Sequence, residues 1–381
     1  MNLAISTLTQ ILELPSSQPL AFLIALVISF IITPKIKERA QLFTPRVAET
    51  GRALCENRNQ VPRLGGVSIF IATIITTLAY IVIYGRYTPS GIEHLELEAI
   101  LVGSTIIFVV GLCDDLRPIN PWIKLLCQTI AAGSTWVLGL QMKYMVNPMY
   151  FLDSSLPDHL TLNSLESFLL TVIFLIAVSN AINLIDGIDG LAAGVAIICS
   201  ISVWAVALSD LLYRPDAAVL SATIAGSALG FLRYNFNPAR IFLGDNGAYL
   251  LGFVLACVSC LGLTKKVTVG ILSPALLLFF AFPLIDVTWA ILRRASRLRN
   301  PLKPDREHVH HLLLNLGLSH KQISFTMYFV SFIFGAWGCY SVDTATLKVY
   351  LGITISILII WLIFSLIFNQ AKQKYHKNTK K

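Results

Sequence analysis

Charge is scarce in this chain. Only 13% of its 381 residues are Asp, Glu, Lys or Arg, about half of the roughly 25% typical of soluble domains. Long polar stretches are also missing, and the longest run to about 30 residues. A soluble enzyme of this size would need a charged surface, and there is too little charge here to make one. The seven cysteines, at 55, 113, 127, 199, 257, 260 and 339, form no ligand pattern beyond one CxxC. That pair, Cys257 and Cys260, lies inside an apolar run and reads as two small core residues rather than a redox or zinc site. These shortages exclude a disordered chain, a disulfide scaffold and an ordinary cytosolic domain.

Apolar length is what the chain does have. Hydrophobic residues make up 55% of it, and the mean hydropathy is +0.71. A bilayer core about 30 Å thick takes around 20 apolar residues per helix. Runs of that kind fall near 18–36, 64–84, 96–113, 121–142, 166–182, 191–209, 216–234, 243–263, 270–292, 321–341 and 346–368. The expectation is an all-α polytopic membrane protein of about eleven spans, a single domain over 1–381 with a basic tail at 369–381. The first run has neither a basic start nor a small-residue cleavage site, so it reads as a span rather than a removable signal.

The 29 Lys and Arg orient these spans. The links 35–63 and 293–321 carry seven each and the tail five; with Arg117, Arg233 and Arg240, one side holds 22. The opposite side holds six. The basic side is expected to be cytoplasmic, which puts the N-terminus outside and the C-terminus inside. The net charge of +8 then reports topology, with membrane lipids as partners and no nucleic acid. Asp114, Asp115, Asp186, Asp189, Asp245, Asp286, Asp305 and Glu307 all fall on that same side. Acids beside a membrane are costly unless they have a use, so the active site is expected at the cytoplasmic face.

Four strings carry the chemistry. In GLCDDLRPINPWIKLLCQ, Asp114 and Asp115 are paired carboxylates. Lys124 and Gln128 follow on one face of a helix opened by Pro121. Mg2+ typically takes one or two carboxylates and completes its shell with phosphates and waters, which suits such a pair. A solvated turn is the plainer reading, but a turn has no use for the lysine inside the next span. In SNAINLIDGIDGLAAG, Asn180 and Asn183 share a helix face ahead of Asp186, Gly187, Asp189 and Gly190, a set able to read a polar head group. In NPARIFLGDNGAYLLG, Asp245 opens a span. A carboxylate there could simply cap the helix, or it could hold a metal while its flanking glycines let phosphates approach. In PDREHVHHLLLNLGLSHKQ, His308, His310 and His311 sit with Arg306. Zinc would need a further ligand that is not nearby, and diphosphate binding fits better. Asp286 is the weakest candidate and could pair with Arg293 or Arg294.

Together these strings resemble the polyprenyl-phosphate N-acetylhexosamine-1-phosphate transferases, from about Pro62 to Gln322. The motifs are closest to the bacterial branch that transfers N-acetylglucosamine 1-phosphate. The sibling branch, phospho-N-acetylmuramoyl-pentapeptide transferase, usually has three consecutive histidines and an acid where this chain has HVHHLLL. The resemblance implies a UDP-sugar donor, a polyprenyl (undecaprenyl-type) phosphate acceptor, release of UMP, Mg2+ with Mn2+ as a substitute, and a plasma-membrane location. It leaves room for a homodimer. It matches Asp114 and Asp115 to a catalytic pair, Asn183, Asp186 and Asp189 to a nucleotide-sugar motif, Asp245 to a metal ligand, and His308, His310 and His311 to the loop that marks the branch. The residues themselves add Lys124 and the histidines as catalytic groups offsetting phosphate charge, Asn180 and Arg306 as substrate-binding groups, and Asp115 or Asp114 beside Asp245 on the metal. Direct attack by the lipid phosphate and a two-step route through a carboxylate nucleophile both fit the residues. An ion-coupled transporter would place its acids near the bilayer midplane rather than at one face. A CDP-alcohol phosphatidyltransferase would have an Ala-Arg pair after its first Asp-Gly.

Overall fold

A computed structural model describes residues 17–43, 61–84, 93–153, 155–210, 212–262, 275, 277–296, 309–355 and 357–359. The chain is mostly helical. Its helices are α1 (Ser17–Phe43), α2 (Gly66–Tyr84), α3 (Glu93–Leu116), α4 (Pro121–Val137), α5 (Ser164–Ile185), α6 (Leu191–Ala207), α7 (Pro215–Asn235), α8 (Gly244–Gly262), α9 (Ala281–Ser296), α10 (Val309–Asn315) and α11 (His320–Val342). Seven of them, α1, α2, α3, α5, α7, α8 and α11, are long and apolar enough to cross a membrane. The runs read near 191–209 and 346–368 contain shorter apolar helices, Leu191–Ala207 and Thr344–Ile359. The runs near 121–142 and 270–292 contain α4, of 17 residues, and part of α9, of 16.

Local chemistry sets the helix ends that matter. Pro118 stops α3 soon after its two carboxylates, because it cannot continue a helical hydrogen-bond ladder. Asn120 then caps α4, its side chain accepting from Trp122 N at 2.9 Å, with Pro121 at the first helical position. A capping box between Asn163 and Glu166 starts α5, and another between Ser319 and Gln322 starts α11.

Helices α6, α7 and α8 form the centre. The spanning stretches of α7 and α8 are 94% buried, against 33–44% for the five spans around them. The sequence of α7 explains this, since it is rich in Ala, Ser and Gly, and small residues let helix backbones approach closely. A Cβ on Gly226 would collide with Phe22 O of α1, and one on Gly230 would lie 2.5 Å from Leu26 O. The outer helices instead expose large apolar side chains, such as Leu20, Ile75 and Phe329, as lipid-facing surfaces do.

At the ends of the bundle far from the paired aspartates, buried Arg214 ties three helices together. It reaches Glu96 of α3 at 2.6 Å, Asp216 of α7 at 2.7 Å and Leu261 O of α8 at 3.2 Å. Among the described residues, the purely helical expectation has an exception in one small sheet. Between α4 and α5, strand β1 (Tyr144–Val146) pairs antiparallel with β2 (His159–Thr161), Tyr144 opposite Thr161. Three-residue strands are too short for their alternation to stand out in a sequence.

Candidate active site

The ends of α3 and α5 and the starts of α4 and α8 meet at one face. Asp114 and Asp115 are adjacent on α3, so their side chains diverge by about 100° around the helix and reach different neighbours. Asp114 turns towards α4: Oδ1 accepts from Ile119 N at 2.8 Å, and Oδ2 is in contact with Lys124 Nζ. Asp115 turns towards α8. Its Oδ1 accepts from Asp245 N at 3.0 Å, and its Oδ2 from Asn246 N at 2.9 Å and Asn246 Nδ2 at 2.5 Å. These are otherwise unpaired N–H groups of a helix start, so Asp115 caps α8 from another helix.

Asp245 completes the cluster. Lys124 Nζ lies 3.3 Å from its Oδ2, and Asn183 Nδ2 donates to its Oδ1 at 3.3 Å. Gly244 makes the approach possible. Its φ is +77, and a Cβ there would strike Arg63 O and stand 2.7 Å from Asp115 Oδ2. One turn deeper, Gln128 and Asn180 exchange amide hydrogen bonds at 2.8 and 3.4 Å, and Asn180 also donates to Ile176 O at 2.8 Å. Asn180 therefore holds α5 against α4, while Asn183 presents its amide to the carboxylates.

The turn after α5 splits its two aspartates between different surroundings. Asp186 caps α5, its N–H donating to Asn183 O at 3.2 Å. Burial, and then the charges of Asp245, Asp115 and Asp189, hold its carboxyl well above the usual range, with Arg63 opposing them. Asp189 is buried and accepts from Asn237 Nδ2 at 3.0 Å and Ala239 N at 3.1 Å. It pins the segment leading into Gly244. Tyr328 of α11 donates to Gly190 O at 2.6 Å, and Ser324 to Asp189 O at 3.3 Å. Nothing in the sequence signals these α11 contacts, which span more than 130 residues.

The short helix α10 carries His310 and His311. Its first N–H, on Val309, donates to buried Asp286 Oδ1 at 3.0 Å, which gives Asp286 a use beyond a pairing with Arg293 or Arg294. Arg306, His308 and the side chains of His310 and His311 lie outside the described residues.

The donor set suits a hard cation, since it is all oxygen. No group of three His, Cys, Asp or Glu among the described residues is arranged to hold a metal alone, but Mg2+ needs only one or two carboxylates beside phosphate and water. The sequence expectation pairs Asp245 with Asp115. In the structure, both Asp115 oxygens are taken by N–H groups. The carboxylate that converges with Asp245 on a shared cation, Lys124, is Asp114.

Residues 97–263, which include Asp114, Asp186 and Asp245, match the model for glycosyl transferase family 4. A relative in Bacillus subtilis, a probable undecaprenyl-phosphate N-acetylglucosaminyl 1-phosphate transferase, is 34% identical over 361 residues, covering 94% of each chain. The chain belongs to glycosyl transferase family 4. A second family member, decaprenyl-phosphate N-acetylglucosaminephosphotransferase of Mycolicibacterium smegmatis, is 31% identical over 78% of this chain and 77% of its own. The phospho-N-acetylmuramoyl-pentapeptide-transferase of Caldicellulosiruptor bescii is a more distant relative, 28% identical over 61% of this chain and 69% of its own.

Proposed function

We propose that this family 4 protein transfers N-acetylglucosamine 1-phosphate from UDP-N-acetylglucosamine to a polyprenyl phosphate of the undecaprenyl type, releasing UMP. The reaction takes place at the cytoplasmic face of the plasma membrane and begins a cell-surface glycopolymer. The observation that carries this reading is the convergence of Asp114, Lys124, Asn183 and Asp245 where four helices of a membrane bundle end. A transporter would need such acids along a path through the bilayer. Here they share one mouth.

The chemistry follows from charge. A phosphomonoester has a second pKa of about 6, so the lipid phosphate is already largely dianionic at neutral pH and needs no general base. Its oxygen attacks the β-phosphorus of the donor in line, the bond to the UMP oxygen breaks, and UMP leaves with the electron pair. The protein must chiefly position two anions and offset the charge moving onto the leaving group. Mg2+, or Mn2+ in its place, held by Asp245 and Asp114, would supply much of that positive charge. Lys124 lies between the same two carboxylates and supplies more. Asn183 and Asp186 are the groups proposed to bind the donor, and the charge and hydrogen-bonding chemistry of Arg306, His308, His310 and His311 suits its diphosphate. One copy of the chain supplies every residue this scheme uses.

Purified protein given undecaprenyl phosphate and a panel of UDP-sugars should release UMP with UDP-N-acetylglucosamine at a rate at least tenfold above the others. Preference for the UDP-N-acetylmuramoyl-pentapeptide would move the chain to the sibling activity. No UMP from any sugar would remove the transferase reading.

The orientation belongs to the same proposal: eleven spans, N-terminus outside, C-terminus cytoplasmic. Single cysteines replacing Asn300 and Ser90 in a cysteine-free protein should label from opposite sides of intact cells, Ser90→Cys from outside. Labelling of Asn300→Cys by an impermeant reagent would place the carboxylates on the side away from the nucleotide and overturn the scheme.

A further inference from the structure

The geometry points to Arg63 as the group that receives the phosphate of the lipid acceptor, an inference that rests on the transferase reading above. Arg63 belongs to a segment held in front of α8 by main-chain bonds on both sides of it. Phe242 N donates to Pro62 O at 2.8 Å, Gly65 N to Phe242 O at 2.9 Å and Gly66 N to Leu243 O at 2.9 Å. Asn246 Nδ2 donates to Arg63 O at 3.1 Å while it also holds Asp115. The backbone of Arg63 is thus part of the same hydrogen-bonded unit that sets Asp245, and its position does not depend on its own side chain.

Arg63 O also stands against Gly244, where a Cβ would strike it, which brings the residue beside Asp245, and its charge opposes the effects that hold the Asp186 carboxyl up. Among the described residues, the guanidinium makes no ion pair within 4.0 Å and no side-chain hydrogen bond. Lys124 differs, because its ammonium is already shared by Asp114 and Asp245. Among the described residues, the cluster therefore holds the carboxyl groups of Asp114, Asp115, Asp186 and Asp245, the committed cation Lys124 and the uncommitted cation Arg63.

The acceptor is a lipid phosphomonoester carrying close to two negative charges near neutral pH, and it must come up to those four carboxylates. Its tail remains in the bilayer, so its phosphate arrives at head-group depth. Arg63 stands three residues before α2, a span by length and composition, begins at Gly66. A guanidinium presents a planar fork that pairs with two phosphate oxygens at once. The donor diphosphate has separate partners in the scheme above, Lys124 and a metal on Asp245. Arg63 answers the remaining electrostatic need, which is the acceptor's.

The test uses the full chain in detergent with UDP-N-acetylglucosamine and undecaprenyl phosphate. Arg63→Gln keeps most of the reach and removes the charge, and should raise the KM for the lipid phosphate at least tenfold while leaving that for the donor within twofold. Arg63→Lys should fall between that variant and the wild type. A measurement without turnover runs beside it. Undecaprenyl phosphate should raise the melting temperature of the wild type but not of Arg63→Gln, whereas UDP-N-acetylglucosamine should raise both. An unchanged acceptor KM, a rise confined to the donor, or equal protection of both proteins by the lipid would overturn the assignment. Wild-type protein that releases no UMP would instead sink the transferase reading, so the two failures are told apart.

Discussion

Asp245→Asn should lower turnover by roughly 10³-fold, the scale seen when one preorganised electrostatic contact at a reacting centre is removed, while the protein stays folded. The reason lies in what the substitution preserves. Asn caps a helix about as well as Asp, and Asp115 still accepts from the main-chain N–H groups at positions 245 and 246. What disappears is a negative charge facing Lys124 and Asn183, and with it one carboxylate for a divalent cation. Two measurements decide the outcome: UMP release across a Mg2+ titration, and the melting temperature. Turnover within threefold of wild type, with unchanged stability, would leave Asp245 as a cap and nothing more.

Asp115→Ala should also cost most of the activity, but by a different route. It strips the acceptors from Asp245 N and Asn246 N and leaves Asn246 Nδ2 with Arg63 O. Buried donors left without partners cost roughly 1–3 kcal/mol each, and some will find water at the membrane surface. A loss of stability on the order of 2–4 kcal/mol is expected, together with a lower kcat as α8 and Asp245 lose their anchor. The Mg2+ concentration for half-maximal turnover should stay within twofold of wild type, because Asp115 is proposed to position Asp245 rather than to hold the metal. A metal ligand at this position predicts the opposite pattern: a midpoint raised tenfold or more, activity recovered at high Mg2+, and little change in melting temperature. That result would restore the pairing of Asp245 with Asp115 expected from the sequence.

The two aspartates show how far a linear reading reaches. Their adjacency, and the lysine after Pro121, single them out as candidates. Their division of labour is invisible, because neighbours on a helix point about 100° apart and the partner of each depends on which helix packs there. Asp189 repeats the lesson. Its place in IDGIDG suggests substrate binding beside Asp186, yet it is buried and holds Asn237 and Ala239. Asn180 and Asn183, three residues apart, separate in the same way. One pins α5 to Gln128, and the other reaches Asp245.

Membrane class, helical architecture and a face rich in acids and bases were legible from the chain alone, because each is a local property. Bilayer insertion depends on apolar length, and a helix start on a few capping residues. The roles within the site depend on contacts between distant positions: 115 with 245 and 246, 189 with 237 and 239, 190 with 328, and 63 with 246. These arise when small-residue helices pack closely enough to bring their ends together. Composition and spacing are the same whichever helices become neighbours, so the division between groups aimed at substrate and groups holding the backbone emerges with the packing.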